Sequence, residues 1–366
     1  MHANGIPKQE LIHMKPRFHL KKKTRNILLI ILLLLFILYW TVCYFAVSLA
    51  LVPSFMEKTE AFEEVTEVSM DALVQTSDIQ NNHAAALQET TEWLQTVDYT
   101  ELSLTSEDGY QLIAATFSPA VESHKWVLLL HGYTGWKEEL YPLAYQYVEK
   151  GYHALIPDMR CSGESEGDFI GMGWTDRLDN MLWLDKILTQ DPNAEIVIHG
   201  QSMGAACALM MSGEDLPSQV SAIISDCAYT NAYSMFAKQM KDWFGLPSFP
   251  LLDSMNLVLQ LRGGYDLKEA SALEAVKKTN LPVLIIHGEE DDMVPVDMAY
   301  ELYEAAGGEK ELLIIPGAGH AQSMDKDPEL YYDTIFQFLN WNRNKTAVNV
   351  TAQKSAIGSA IYTAIV

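Results

Sequence analysis

The sequence predicts an α/β protein with an eight-stranded, mostly parallel sheet, flanking helices and one preceding transmembrane helix. The first observation is an uncharged, apolar segment at residues 27–52. The second is the region after Tyr99, where short apolar runs alternate with helical stretches, as in strands joined by crossover helices. The third is the length of 366 residues, which is enough for one large α/β domain and an appendage.

Residues 27–52, ILLIILLLLFILYWTVCYFAVSLALV, are long enough to cross a membrane. At about 1.5 Å per residue the helix covers a hydrocarbon core of about 30 Å. The basic run HLKKKTR precedes it, so the positive-inside rule predicts that residues 1–26 are cytoplasmic. A signal peptide cleaved near SLA at 48–50 is the alternative, but the apolar run exceeds the usual length of about 7 to 15 residues. We therefore expect a single-pass anchor in the cell membrane, with the main domain at the cell surface and the lipid bilayer as a partner.

Residues 53–98 form an acidic connecting segment. After Pro53 the segment has no Gly or Pro, and its apolar residues recur intermittently at helical spacing. This pattern predicts two helices. We interpret them as a helical stalk, and a pair of helices packed on the next domain fits the pattern equally well.

A domain predicted at residues 99–342 contains eight short apolar or β-branched runs bounded by turn residues. The first two are separated by EDG, which predicts an antiparallel hairpin. Each of the other six lies next to a helical stretch, which favours parallel pairing. The predicted strands are TELSLTS, QLIAATFSP, KWVLLLHG, YHALIPD, EIVIHG, VSAIISD, PVLIIHG and ELLIIPG.

Two further segments interrupt or follow this alternation. Residues from about 228 to 280 are too many for a plain crossover and are rich in aromatic residues and Met. We expect a small helical cap over the sheet, because apolar residues there need something to cover; a surface excursion without a ligand role is the alternative. The tail at 343–366 is rich in small residues and carries no motif, so we assign it no function.

Charge and cysteine spacing exclude several classes of function. The formal net charge is −23, although basic residues are concentrated in the first 26 positions. A main domain this acidic repels nucleic acid and anionic lipid, so neither is expected as its partner. The four Cys have no CxxC or Cys/His spacing, which argues against a zinc site and against a disulfide framework. We expect no metal and no organic cofactor.

Ser202 is the predicted nucleophile. It lies in GQSMG, between the strand EIVIHG and the helical stretch AACALMMSG. A strand-to-helix turn of this kind exposes the Ser hydroxyl above a sheet. Gly200 and Gly204 are expected because the turn is strained and the helix passes close to the strand. A small residue in a tight turn is the alternative interpretation of this Ser.

A Ser hydroxyl needs a base and a group that orients the base. His320, in the Gly-rich loop after the last strand, is the predicted base. The acid is Asp291 or Asp292, in the loop after the preceding strand. The resulting order of Ser, acid and His is the one expected when successive strand ends assemble a triad. Three other histidines precede Gly at strand ends and are expected to be structural: His131, His199 and His287.

The motifs LLLHGYTGW, LIPDMRCSGESEG, HGQSMG, LIIHGEEDDMVP and PGAGH span residues from about 100 to 342 and resemble those of serine hydrolases with the α/β-hydrolase fold. With the anchor, the chain is similar to membrane-bound cell-surface hydrolases of Gram-positive bacteria. The resemblance implies that Asp291 is the acid, with Asp226 as a rival because some relatives place the acid there. It also implies that the backbone N–H groups of Tyr133 and Met203 form an oxyanion hole.

Together these features predict a serine esterase that cleaves an ester or related acyl bond of a small-molecule substrate. The reaction would pass through an acyl intermediate on Ser202, with His320 as general base and then acid and with Asp291 holding the imidazole. A peptidase or an acyltransferase with the same triad is an alternative. A non-catalytic cell-surface binding module is another, because folds can persist without activity.

Overall fold

The computed structural model describes residues 21–56 and 77–343. Within them, an N-terminal helix at Lys22–Leu51 is followed by a short helix at Pro53–Met56. Most of the predicted cytoplasmic segment, residues 57–76 of the predicted stalk and nearly all of the predicted tail lie outside the described residues.

The predicted eight-stranded, mostly parallel sheet is confirmed, with the order β1-β2-β4-β3-β5-β6-β7-β8. β1 and β2 form the expected antiparallel hairpin, and β2 also runs antiparallel to β4. All other neighbours are parallel. The strands are β1 (Tyr99–Thr105), β2 (Gln111–Phe117), β3 (Lys125–Leu130), β4 (His153–Pro157), β5 (Glu195–Gln201), β6 (Val220–Asp226), β7 (Val283–Gly288) and β8 (Lys310–Ile315).

Helices cover both faces of the sheet. Side chains alternate along a strand, so Leu128 and Leu130 of β3 point into one apolar layer while Val127 and Leu129 point into the other. A 3₁₀ turn at Lys137–Leu140 precedes the second of the remaining helices. These are Ser77–Leu94, Tyr141–Glu149, Asp176–Gln190, Met203–Met211, Ala232–Phe244, Leu251–Gly263, Ala272–Val276, Val296–Ala305, Ser323–Lys326 and a last helix over residues 328–343.

The helix Ser77–Leu94 of the predicted stalk packs on the α/β domain. The Trp93 ring lies 4.7 Å from the Phe117 ring, centroid to centroid. The Asn82 side chain donates a hydrogen bond of 2.8 Å to the carbonyl of Asp325. Residues 77–94 therefore form a helix in contact with the domain, and the stalk as a whole stays a prediction.

The excursion between β6 and β7 contains three helices. The short helix Ala272–Val276 packs on Met203–Met211 and belongs to the body of the domain. The other two, Ala232–Phe244 and Leu251–Gly263, are called the insert helices below. The second insert helix packs along the N-terminal helix, a contact that the sequence pattern did not predict.

Among the described residues, the N-terminal helix is long and apolar enough to cross a membrane. Its most apolar stretch is almost entirely exposed, whereas Cys43, Val47 and Leu51 near its end are buried against the domain. By length and composition, a helix of this kind near an N-terminus is either a membrane anchor or a signal sequence.

Candidate active site

The carboxyl ends of β5, β7 and β8 bring together the three predicted triad residues. Ser202 Oγ lies 2.8 Å from His320 Nε2. The other ring nitrogen of His320, Nδ1, lies 2.7 Å from Asp291 Oδ2. Parallel strands deliver these distant residues to one edge of the sheet, where the loops that follow the strands meet. The arrangement has the connectivity of an alcohol, an imidazole and a carboxylate hydrogen-bonded in series.

Ser202 occupies a strained turn between β5 and the helix Met203–Met211. Its φ of 54° and ψ of −115° lie in a region that non-glycine residues rarely adopt. A Cβ added at Gly200 would overlap the carbonyl of Gly204, and one added at Gly204 would overlap the carbonyl of Leu130. The Ser202 N–H donates to the carbonyl of Asp226 over 2.8 Å. The two glycines therefore let strand and helix approach closely enough to present the Ser hydroxyl at the sheet edge.

The loops that carry the acid and the histidine are tied to each other. The Glu290 N–H donates to the carbonyl of Ala318 over 2.9 Å, and the Glu289 N–H donates to that of Ile315 over 3.0 Å. A side chain at Gly288 would overlap the Ala318 carbonyl. This close backbone approach fixes the separation between Asp291 and His320.

Asp291 is buried and surrounded by hydrogen-bond donors. Its Oδ1 accepts from the N–H groups of Met293 at 3.0 Å and Val294 at 2.8 Å. Its Oδ2 faces His320 Nδ1 at 2.7 Å and His287 Nε2 at 3.2 Å. Burial alone would raise the pKa of Asp291, but hydrogen bonds from His287 and His320 outweigh burial and lower the pKa to about 2. The carboxylate is therefore ionised at neutral pH.

Asp226, the rival acid, lies at the end of β6 in a different environment. Its Oδ2 accepts a hydrogen bond of 3.1 Å from the Tyr331 hydroxyl. Its buried Oδ1 has no hydrogen-bond partner within residues 21–56 and 77–343. Burial raises the pKa of Asp226 to about 6 despite the hydrogen bond from Tyr331. His320 Nδ1 donates its hydrogen bond to Asp291, and the neighbouring Asp292 is exposed.

The two predicted oxyanion residues flank Ser202. Met203 is the first residue of its helix, where backbone N–H groups lack an acceptor within the helix. The loop with Tyr133 also lies close, since a Cβ added at Gly132 would stand 3.5 Å from Ser202 Cβ. The Tyr133 side chain points away to the N-terminal helix, where its hydroxyl donates to the carbonyl of Ala50.

The three histidines expected to be structural each hold part of this edge. His131 accepts from the N–H of Met159 at Nε2 and donates to the carbonyl of Gly132 at Nδ1, over 2.9 and 2.8 Å. This fixes its tautomer and the loop beside Ser202. His199 is fully buried between two tyrosines, and burial lowers its pKa to about 3, so its ring is neutral.

His287 contacts the predicted acid directly, which sequence reasoning missed. Its Nε2 donates to the carbonyl of Val294 over 2.8 Å and also faces Asp291. Its position four residues before Asp291, at the end of β7, was visible in the sequence, but the fold of the loop that brings the two side chains together was not.

Cys227, Asp291 and His320 also offer three ligand atoms within 4.8 Å of one another. The hydrogen bonds of His320 account for both of its ring nitrogens. Burial raises the pKa of the Cys227 thiol well above its usual value, which disfavours the thiolate that binds metals. The donor set therefore fits a hydrogen-bonded triad better than a metal site.

Comparison with known proteins identifies the family. Residues 125–250 match the family model of the alpha/beta hydrolase fold, and residues 257–327 match that of serine aminopeptidase S33. The chain is 32% identical to the uncharacterized protein YqkD of Bacillus subtilis over 248 residues, which cover 67% of this chain and 80% of YqkD. The lysophosphatidylserine lipase ABHD12 of Danio rerio is 29% identical over 205 residues, covering 52% of this chain and 49% of that protein.

Solved structures share the fold. The esterase Pf2001 of Pyrococcus furiosus superposes with a TM-score of 0.55 at 23% identity, covering 67% of this chain and 93% of the esterase. The acylaminoacyl peptidase of Pyrococcus horikoshii gives a TM-score of 0.53 at 19% identity, covering 69% of this chain and 43% of the peptidase. With the sheet order and the relationship to YqkD, these matches show that the chain is a hydrolase of the α/β-hydrolase fold family.

Proposed function

We propose that the protein is a serine hydrolase that cleaves carboxylic esters through an acyl-serine intermediate. The observation that carries this proposal is the continuous set of contacts from Ser202 Oγ to His320 Nε2, and from His320 Nδ1 to Asp291 Oδ2. An isolated Ser hydroxyl is a weak nucleophile at neutral pH, and this arrangement supplies both the base and the group that orients it.

In the proposed reaction, Ser202 Oγ bonds to the acyl carbon as its proton passes to His320 Nε2. The imidazolium is stabilised by the Asp291 carboxylate, which keeps the proton on Nδ1 and is itself not protonated. His320 then donates the Nε2 proton to the leaving alcohol as the ester C–O bond breaks. Water adds to the acyl enzyme with His320 again as base, which releases the carboxylic acid and restores Ser202.

The tetrahedral intermediates carry a negative oxygen that needs fixed donors. The backbone N–H groups of Tyr133 and Met203 are proposed to supply them, because Met203 follows Ser202 and Tyr133 follows Gly132, which lies close to Ser202. Removal of one such donor costs about 3 to 4 kcal/mol of transition-state stabilisation. Both donors belong to the main chain, so substitutions of these two side chains are expected to act through packing.

Hydrolysis of an ester, as opposed to an amide, is supported by the relative from Danio rerio, whose name states that it is a lysophosphatidylserine lipase. The match of residues 257–327 to a serine aminopeptidase family makes amide hydrolysis the second candidate. We further propose that residues 27–52 are an uncleaved single-pass anchor and that the hydrolase domain at 99–342 lies outside the cell.

The test uses the full-length protein in detergent with nitrophenyl esters of increasing acyl length and a matched peptide amide. Ser202→Ala is compared with Ser218→Ala, a substitution at an exposed serine in the loop before β6. We expect ester hydrolysis to fall by a factor of about 10⁴ to 10⁶ in Ser202→Ala and to be unchanged in Ser218→Ala.

Full activity of a folded Ser202→Ala variant would overturn the proposal. A folded wild-type protein that cleaves no ester and no amide would favour the binding-module alternative. Cleavage of the peptide amide would favour the peptidase.

A further inference from the structure

The end of the first insert helix and the loop that follows it present an apolar surface that the other described residues leave largely exposed. Residues 243–252, WFGLPSFPLL, carry no charge. The large apolar side chains in this loop are mostly exposed: Trp243, Phe244, Leu246 and Phe249. Residues 243–249 are called the insert tip below. A cluster of this size on a water-soluble surface marks a site that another apolar medium or molecule covers.

The insert tip lies beside the N-terminal helix. The Tyr39 hydroxyl donates to Ser254 Oγ over 2.8 Å and to the carbonyl of Pro250 over 3.3 Å, immediately after the tip. At the other end of the same insert helix, Arg262 donates to Ser48 Oγ over 2.9 Å. The two helices therefore run parallel, with the insert tip toward the start of the N-terminal helix and Arg262 toward its end.

The length of the N-terminal helix fixes the depth of this contact. Every residue from Ile27 to Leu38 is exposed, and this stretch measures only about 18 Å at about 1.5 Å per residue. A hydrocarbon core of about 30 Å needs roughly eight further residues. Those residues begin with Tyr39, so the part of the helix that contacts the insert must itself lie within the bilayer.

The position of Arg262 agrees with that depth. The Arg262 guanidinium stacks on the Tyr44 ring, 3.8 Å from its centroid, and contacts Ser48. The apolar length from Ile27 to Tyr44 is about 27 Å, close to a full hydrocarbon core. Arg262 and Tyr44 are thus at the membrane boundary, where charged and aromatic groups are stable, and the insert tip lies on the bilayer side of them.

We propose that the insert tip docks into the outer half of the lipid bilayer, beside the N-terminal helix. The acidity of the domain does not oppose this, because the tip carries no charge and makes apolar contacts. A second copy of the chain is the competing occupant. It would leave unexplained how the exposed part of the N-terminal helix, about 18 Å long, spans a hydrocarbon core of about 30 Å.

The same contacts turn the candidate active site toward the membrane. The carbonyls of Ala50 and Leu51 accept hydrogen bonds from the Tyr133 hydroxyl and the Ile170 N–H, in loops at the sheet edge of Ser202. The Lys238 ammonium of the first insert helix reaches the carbonyl of Asp292 over 3.4 Å. If the proposed function holds, the substrate is an acyl ester carried in the membrane, which reaches Ser202 along the insert. Cleavage near SLA at 48–50 would remove these contacts, so docking beside the N-terminal helix requires that the helix is not cleaved.

The direct test is quenching of tryptophan fluorescence by lipids with brominated acyl chains. Full-length protein is reconstituted in vesicles of phosphatidylcholine, a zwitterionic lipid that the acidic domain does not repel. Trp243→Phe is compared with Trp341→Phe, because Trp243 and Trp341 are 54% and 55% exposed and Trp341 belongs to the last helix, which packs on the opposite face of the sheet. We expect Trp243→Phe to remove roughly half of the quenchable emission, with Trp40 supplying the rest, and Trp341→Phe to remove none.

Unchanged quenching in Trp243→Phe would overturn the proposal. The proposal would also be overturned if brominated lipid did not quench the Trp243 emission and this emission varied with the protein-to-lipid ratio. That result would mean that a second copy of the chain covers the insert tip.

A second pair of variants tests the consequence for substrate. Phe244→Asp places a charge on the insert tip, and Val121→Asp places one on the loop between β2 and β3; the two residues are 67% and 64% exposed. The measured quantity is the ratio of hydrolysis of a long-chain ester in vesicles to hydrolysis of a soluble short-chain ester. We expect the ratio to fall at least about tenfold in Phe244→Asp and to stay constant in Val121→Asp. An unchanged ratio in Phe244→Asp would contradict delivery of the substrate from the membrane. A wild-type protein that hydrolyses neither ester would contradict the proposed function, and the quenching experiment alone would then test the docking.

Discussion

Asp226 and Asp291 are both buried at the ends of adjacent strands, β6 and β7, yet they occupy opposite electrostatic environments. Asp291 has two backbone N–H donors and two imidazoles around its oxygens, whereas Asp226 has one tyrosine hydroxyl and one buried oxygen that has no partner among the described residues. Their pKa values differ accordingly, at about 2 and about 6. Burial is common to both, so the donors decide which carboxyl group stays ionised.

This difference bears on the proposed reaction. A carboxylate that orients an imidazole must remain charged while the imidazole gains and loses a proton. Asp291 satisfies that requirement across the physiological range. Asp226 is close enough to influence the electrostatic field at the site, but with a pKa of about 6 it is only half ionised near pH 6. We therefore expect the two acids to respond very differently to the same substitution.

The largest difference is expected in turnover. Asp291→Asn should lower kcat by about 10³ to 10⁴, or about 4 to 5 kcal/mol, because an amide in this position favours the wrong tautomer of His320. Asp226→Asn should change kcat by less than about fivefold, because it makes no hydrogen bond to His320 in the proposed triad. Steady-state hydrolysis of a nitrophenyl ester by both full-length variants checks this prediction. A larger loss in Asp226→Asn than in Asp291→Asn would reverse the assignment of the acid.

The next effect concerns stability and pH. The folded-state pKa of Asp226 is raised, so its contribution favours folding below about pH 4 and is lost as the pH rises through about 6, up to about 3 kcal/mol. The folded-state pKa of Asp291 is lowered, so its contribution is present above about pH 4 and is lost as the pH falls toward 2. Asp226→Asn should therefore remove a decline in stability between pH 4 and 6 that Asp291→Asn leaves in place.

Thermal unfolding of the wild type and both variants in detergent, from pH 3 to pH 8, measures these windows. Other buried groups titrate in the same pH range, such as Glu139 and Asp176, because burial raises their pKa values to about 7 and about 6. The difference in stability between variant and wild type at each pH separates the contribution of each acid from theirs. Identical pH profiles for Asp226→Asn and the wild type would show that Asp226 does not titrate in this range.

A smaller effect is expected at His287, the second imidazole beside Asp291. His287→Leu removes a donor, so the pKa of Asp291 should rise and kcat should fall by about tenfold, or about 1.4 kcal/mol. The acid limb of the pH profile should move to higher pH, because a carboxyl with a raised pKa is protonated earlier as the pH falls. His287→Gln restores an N–H donor and should recover part of the rate. Equal rates and profiles in the two variants would mean that His287 acts only through packing.

The smallest effect is expected from Tyr331→Phe. This substitution removes the hydroxyl that donates to Asp226 and lies 3.3 Å from His199 Nε2. The free energy of unfolding should fall by about 1 to 2 kcal/mol at pH 7, while kcat should stay within about twofold of the wild type. Chemical denaturation and steady-state kinetics measure both quantities, and a large loss of kcat would assign Asp226 a role in the reaction.

The strands and their mostly parallel order could be predicted from the sequence, because β-branched and apolar runs such as VSAIISD and PVLIIHG are local signals. Ser202 and His320 could be predicted from local patterns, because each follows a strand that ends at the same edge, whereas the choice of Asp291 came from the family resemblance. Their catalytic roles remain predictions.

Two features could not be predicted. Whether Asp226 or Asp291 approaches His320 depends on the backbone hydrogen bonds between the loops at Glu290 and Ala318, which no local pattern encodes. The contact between the N-terminal helix and the second insert helix was also hidden. In a segment that is apolar enough to span a membrane, the residues that pack on protein cannot be told from those that face lipid. The sequence around Arg262 does not show that its partner is Ser48.

The most direct measurement is mass spectrometry of the full-length protein after reaction with a fluorophosphonate, with digestion to locate the adduct. We expect one adduct on Ser202, formed rapidly in the wild type and in Asp226→Asn, slowly in Asp291→Asn and not at all in Ser202→Ala. A folded protein that forms no adduct, or an adduct that persists in Ser202→Ala, would contradict this expectation.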